Sequence, residues 1–294
     1  MVQKIERRKL VLAAAAGGAA GLAAAPAMAQ FNIPNLLGAG QQIFQAMNLG
    51  EADEIRIGQA HYEPNIARGG GRVPDRVAQD ALKAFAKPYI ATSERPQLPW
   101  EITLLNNQTV NAWAMPGGKM AVNAALVRQC ATPEELASVI AHEVGHAEKS
   151  HGIQQMRSQA FVTSLGSAGK SMLGGRAGGL SSEMLQAIEG PLYGMILSGY
   201  SRQNEYEADA HILHVFSRTG TDPGKAHRFF ETLQRIYPPN ESATTSLFST
   251  HPGTADRISR IKSEAARMPP RAPTSSARHP GWAELKARYP TPKA

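Results

Sequence analysis

Hydrophobic and polar positions along this 294-residue chain recur mostly at helical spacing, with one short interval that reads as strand. Residues 31–60 carry Phe31, Ile33, Leu36, Leu37, Ile43, Phe44 and Met47, broken by Gly38 and Gly40, and predict an amphipathic helix packed on the domain or a short leader. Val77, Leu82, Phe85 and Ile90 predict a second helix over 75–90, with Pro74 and Pro88 as its boundaries. Ile102, Leu104 and Leu105 then precede Asn106-Asn107-Gln108, a turn signal, and Val110 to Met115 reads as a second strand. Pro116-Gly117-Gly118 is another turn, and Met120-Ala121-Val122 a third strand. Short connections of this kind predict a small antiparallel meander.

The meander runs into a well-marked helix. Thr132 is an N-cap, Pro133 the first helical residue and Glu135 the acidic partner three residues after the cap, with Gly152 as the expected stop. Leu136, Ile140, Val144 and Ala147 share one face of this helix, while Ser138, Ala141 and Gly145 line the far side with small residues that let another element approach. His142 and His146 lie on the face beside the apolar one, about 40° apart around the axis, so both imidazoles address one point. Glu143 falls between the two faces. A helix apolar or small nearly all round is a buried helix, and two histidines buried in it need partners. The spacing His142-Glu143-Val144-Gly145-His146 suits a tetrahedral zinc with a glutamate reaching a water on the metal.

From 153 to 200 the pattern predicts a helical hairpin, its arms separated by Gly174-Gly175-Arg176-Ala177-Gly178-Gly179. It is either a flexible lid or a flap in peripheral membrane contact, or else an ordinary surface pair; neither arm is an apolar run long enough to span a bilayer. Beyond it, Arg202, Glu205 and Asp209 follow i, i+3, i+7 spacing along one helix face. A buried stripe of that kind needs compensation by a metal and its ligands, and Glu205 is the candidate third ligand.

Composition narrows the alternatives. The formal charge of +7 is concentrated at the ends: residues 1–29 carry +3 and residues 268–294 carry +4, leaving 30–267 with 22 basic and 22 acidic side chains. A neutral body is not a footprint for nucleic acid. Cys130 is the only cysteine, which excludes an intramolecular disulfide and a cysteine-rich metal site and suits a small buried side chain. Lys4, Arg7, Arg8 and Lys9, an Ala/Gly-rich apolar run and Ala27-Met28-Ala29 read as a signal peptide over 1–29, of the general secretory or the twin-arginine type. With no cysteine at the cleavage site, a lipoprotein is not expected. The expected organisation is therefore a signal peptide (1–29), an amino-terminal helical segment (30–74), a catalytic domain (75–267) containing the 153–200 hairpin, and a disordered basic, Pro-rich tail (268–294).

An H-E-x-x-H helix, some sixty residues, Ser201-Arg202-Gln203-Asn204-Glu205-Tyr206-Glu207-Ala208-Asp209, then Thr250-His251-Pro252 with Arg257-Ile258 after it, resembles the M48 gluzincin family of zinc endopeptidases. That family includes HtpX, BepA, LoiP and the CAAX prenyl endopeptidases. Asn111-Ala112-Trp113-Ala114-Met115-Pro116-Gly117-Gly118 resembles its N-A-x-x-x-P-G-G strand and turn, and the likeness spans roughly 75–265.

The resemblance implies an α+β, mostly helical, zincin-like fold with a small antiparallel sheet beside the H-E-x-x-H helix. It implies that His142, His146 and Glu205 hold one zinc ion and that Glu143 is the general base, taking a proton from the attacking water and returning it to the leaving amine. Asp209, with Arg202, would orient the ligands. His251 would either hydrogen-bond the oxyanion or ligate zinc and close the resting site. Asn111, Ala112, Trp113 and Ala114 would add the substrate as an extra strand. His61, His151, His211, His214, His227 and His279 carry no motif and are not expected to be ligands. Without repeats or apolar spans after its signal, the chain looks like the compact periplasmic form, closest to LoiP-like envelope proteases. Its expected partners are misfolded or misassembled envelope and outer-membrane polypeptides. The rival expectation is a chaperone-like envelope assembly factor whose zinc site is closed and structural or regulatory.

Overall fold

A computed structural model describes residues 49–158, 180, 182–237, 251, 254–269 and 279–292. The expected signal peptide, most of the 31–60 pattern, the Gly-rich centre of the hairpin, Thr250, Pro252 and residues 270–278 lie outside them.

Helix α1 (Glu51–Arg68) and helix α2 (Arg76–Ile90) come first. α1 runs past residue 60, where the sequence pattern ended, and packs on the domain through buried Ile57, Tyr62 and Ile66. The Tyr62 hydroxyl donates to the Met120 carbonyl at 2.7 Å. In α2 the Asp75 side chain caps the first turn by accepting from Ala78 N at 3.1 Å. Its buried stripe is Ala78, Leu82, Phe85, Ala86 and Tyr89, whereas Val77 is half exposed and Pro88 lies inside the helix.

Strands β1 (Glu101–Leu105), β2 (Ala112–Met115) and β3 (Lys119–Asn123) form one sheet in the order β1-β3-β2. β2 pairs antiparallel with β3, but β1 pairs parallel with β3, Glu101 opposite Lys119 and Leu105 opposite Asn123. The expected antiparallel meander is thus a mixed sheet. The cause is the use made of Asn106 and Asn107. Asn106 N donates to Gly71 O, and the Asn107 side chain donates to Gly69 O, both at 2.9 Å, so these residues bind the turn after α1 instead of closing a hairpin. β3 then takes the central place. The outer edge of β1 is covered as well: Val73 N donates to Leu104 O, and the Gln79 amide bonds both polar groups of Leu104. Among the described residues β2 is therefore the edge left open to another strand. The Pro116–Gly118 turn needs its glycines, since Gly117 and Gly118 have φ of 75° and 74°.

Helix α3 (Ala124–Gln129) leads into α4 (Pro133–Glu148), which carries the H-E-x-x-H residues. The Glu135 half of the expected cap forms, its carboxylate accepting from Thr132 N at 3.3 Å, while Thr132 Oγ1 has no partner among the described residues. The end differs, for the chain turns at Lys149 and Ser150, the latter at φ 53°, and restarts as α5 (His151–Ser158). Gly152 is inside α5, where a Cβ would lie 3.2 Å from the Pro116 ring, so it serves close packing rather than termination. α6 (Ser182–Ser198) and α7 (Arg202–Thr219) follow, and α7 crosses α4 at Gly145, where a Cβ would meet His211 Cβ at 2.9 Å. α8 (Arg228–Ile236) and α9 (Thr254–Ala265) cover the other flank.

Part of the expected disordered tail is a folded helix, α10 (Trp282–Arg288). Leu285 is fully buried, His279 stacks on Phe85 with ring centroids 5.8 Å apart, and Lys286 Nζ donates to the Cys130 carbonyl at 2.8 Å. An apolar anchor and a cation at the end of α3 outweigh the polar composition that suggested disorder. The architecture is α+β and mostly helical, with the sheet against α4. No described helix is long and apolar enough to cross a membrane.

Candidate metal centre

α4 supplies His142, Glu143 and His146, and α7 supplies Glu205 and Asp209 across the close contact at Gly145. Ser201 starts α7 by accepting from Asn204 N at 3.2 Å, which sets Glu205 in the first turn, facing α4. His251 enters from the segment before α9. One ligand atom from each of His142, His146, Glu205 and His251 lies within 4.8 Å of the others, and all four residues are buried. His142 Nε2 is 3.0 Å from His146 Nε2 and 3.2 Å from His251 Nδ1, and Glu205 Oε1 is 2.9 Å from His251 Nδ1. Three imidazoles and a carboxylate are a donor set suited to zinc.

Glu143 lies beside this group. It is buried, and neither carboxylate oxygen has a hydrogen-bond partner among the described residues; the nearest cation-forming atom, His251 Nε2, is 3.6 Å away. An orphaned carboxylate next to converging donors is costly unless water or substrate binds there. Burial raises its pKa, against the pull of His251 and His142, which makes it a stronger base.

The surrounding charges are arranged by a residue the sequence left without a role. Arg257 of α9 is 1% exposed and makes two 2.7 Å bonds to Asp209 and one to Glu205 Oε2. It also donates to the His251 carbonyl at 3.1 Å and lies over the Phe230 ring at 4.7 Å. Burial pushes the Glu205 carboxyl up, but His251 and Arg257 outweigh it and hold the group well below the usual range. Asp209 behaves likewise, through Arg257 and then His142. Asp209 Oδ1 is 3.2 Å from His142 Nδ1, the ring nitrogen facing away from the ligand cluster. Burial depresses His142, yet Asp209 and Glu205 reverse this and raise it to about 9. His146, with no carboxylate on its far nitrogen, is driven well below its ordinary value by burial and then by His142.

Arg202 does not join the site. It is exposed at the first residue of α7, where the helix end projects into solvent, and Arg257 occupies the place expected of it. Asn111, Ala112, Trp113 and Ala114 lie on the β2 side of the sheet, beside which no further strand stands among the described residues, and all four are buried. Antiparallel alternation turns the polar groups of Ala112 and Ala114 away from β3. The Ala114 carbonyl already accepts from the Tyr200 hydroxyl at 3.2 Å, and the Tyr200 ring stacks on His146 at 3.9 Å. Sequence reasoning missed Tyr200 altogether. An apolar recess lined by Val139, Phe229, Phe230 and Leu233 opens beside His142 and His251.

The sequence profile of peptidase family M48 matches residues 77–265, more than half the chain. The chain belongs to peptidase family M48. It is similar to the beta-barrel assembly-enhancing protease of Escherichia coli (strain K12), 28% identical over 231 residues that make up 76% of this chain and 46% of that protein. It is also similar to the mitochondrial metalloendopeptidase OMA1 of Schizosaccharomyces pombe, 27% identical over 239 residues, 80% of this chain and 67% of that protein. The Yersinia pestis beta-barrel assembly-enhancing protease is 29% identical over 222 residues, 72% of this chain and 44% of that protein. This M48 chain thus spans just under half the length of the bacterial relatives it matches.

Proposed function

We propose that this chain is a zinc-dependent endopeptidase that hydrolyses peptide bonds in misfolded or misassembled cell-envelope proteins. The observation that carries the reading is the convergence of His142, His146, Glu205 and His251 within 4.8 Å beside the buried, unpartnered carboxylate of Glu143. His142, His146 and Glu205 would hold the metal, which when bound supplies Lewis acidity toward a peptide carbonyl. Glu143 takes a proton from the attacking water and delivers it to the leaving amine, and its raised pKa favours the uptake. His251, joined to Arg257 through its carbonyl, either donates to the developing oxyanion or serves as a fourth ligand at rest. An extended substrate adds to the β2 edge at Ala112 and Ala114. The envelope substrate class is supported by the names of the bacterial relatives, and export to the periplasm by the basic, apolar and A-x-A pattern of residues 1–29.

Glu143→Gln should retain zinc and the folded state and lose about 10²- to 10⁴-fold in casein cleavage. Cleavage at the wild-type rate would remove Glu143 from the role of base. A second reading, a chaperone-like assembly factor with a closed zinc site, is favoured by one observation: His251 stands among the candidate ligands, and four protein ligands are the mark of a structural zinc. Bound zinc without turnover, even after His251→Ala, would decide for it.

A further inference from the structure

His146 reaches a second histidine through the ring nitrogen that does not face the ligand cluster. His146 Nδ1 is 2.9 Å from His151 Nδ1, and His151 Nε2 is 3.2 Å from Glu207 Oε2. Gln203 donates to the other Glu207 oxygen at 2.8 Å, fixing that carboxylate on the surface of α7. His151 itself is fully buried. The chain of contacts crosses three helices, from α4 through α5 to α7.

The direction of these bonds follows from the chemistry of the ends. The Glu207 carboxylate only accepts, so a neutral His151 ring donates to it through Nε2 and keeps a bare Nδ1. That Nδ1 must accept from His146 Nδ1–H, which leaves the His146 Nε2 lone pair toward His142, Glu205 and His251. The opposite order, with His151 donating through Nδ1, would put the His146 proton on Nε2 and remove it as a ligand.

We propose that His151 and Glu207 are positioning residues that set the tautomer and ring orientation of the metal ligand His146. The assignment rests on the zinc reading above. His142 has its orienting carboxylate in direct contact, in Asp209. His146 has its carboxylate one imidazole away, with the neutral His151 ring between. Tyr200, stacked on His146 at 3.9 Å and 16°, restrains the ring's tilt but offers Nδ1 no acceptor. Groups that hold a ligating histidine in this way are worth about 10- to 100-fold in metal affinity.

The test uses the full chain, with Zn²⁺ affinity read by competition against a chromophoric chelator. His151→Phe keeps the ring volume and removes the acceptor; His151→Asn puts Oδ1 where Nδ1 stood. His151→Phe should weaken Zn²⁺ binding about 10- to 100-fold and shift the visible absorption of the Co²⁺-loaded protein. His151→Asn should stay within about threefold of wild type, since one neutral acceptor replaces another. Thermal melting of the chelator-treated proteins should be alike. Wild-type affinity and an unchanged Co²⁺ spectrum in His151→Phe would overturn the proposal. So would equal loss in both variants alongside a lowered melting temperature without metal, which would make His151 packing alone. A wild-type chain that takes up no Zn²⁺ overturns the zinc reading itself, and the relay with it.

Discussion

Replacing Arg257 with methionine should be among the most damaging single changes to the fold. The methionine keeps a chain of similar length against Phe230 and removes the charge that sits 2.7 Å from both Asp209 oxygens and from Glu205 Oε2. Asp209 is then left with His142 Nδ1 at 3.2 Å and Glu205 chiefly with His251, in a site where every carboxylate is buried. Removing one member of a buried ion group costs about 3–5 kcal/mol, because the others stay desolvated without compensation. A further contribution on the order of 1 kcal/mol disappears with the guanidinium over the Phe230 face. Against a total stability of about 5–15 kcal/mol, such a loss brings the variant near the edge of folding.

Urea unfolding of the chelator-treated protein at neutral pH, followed by far-UV circular dichroism, measures the loss without metal compensation. Asp209→Asn supplies the control, since it removes one stranded charge. The double variant Arg257→Met/Asp209→Asn should recover on the order of 1 kcal/mol or more relative to Arg257→Met, the coupling expected of directly bonded groups. An Arg257→Met variant within about 1 kcal/mol of wild type, or costs that simply add in the double variant, would refute the ion-network argument.

Three further outcomes are expected. Chelation should lower the melting temperature reversibly, and Zn²⁺ at roughly a thousand times its dissociation constant should restore about 4 kcal/mol; calorimetry showing no shift would mean that the folded chain does not hold the metal. Tyr200→Phe releases the Ala114 carbonyl for an incoming strand and should lower KM for an extended peptide about fivefold with kcat unchanged, the worth of one hydrogen bond; an unaltered KM would remove β2 as the substrate lane. Burial pushes the Cys130 thiol well above its ordinary pKa, so a disulfide reagent at mildly alkaline pH should leave the native chain unlabelled and modify one thiol after denaturation; prompt native labelling would contradict the packing around Cys130.

The features that the residues alone determined are local ones. The start of α4 follows from Thr132, Pro133 and Glu135, all within one turn, and the shared direction of His142 and His146 follows from the pitch of a helix. The small face at Gly145 foretold the close approach of another element, and α7 crosses there. Tertiary structure decided the rest, because those choices depend on which distant groups compete for the same partner. β3 took the place beside β1 once Asn106 and Asn107 bonded the turn after α1. Arg257 rather than Arg202 pairs the buried acids, since α9 lays it across them while the end of α7 points Arg202 outward. His151, five residues after His146, would stand about 140° away on a continuous helix. Only the turn at Ser150, with its positive φ, brings its ring back onto His146. Helical spacing predicts where a side chain leaves the backbone, but a break in the helix decides what it meets.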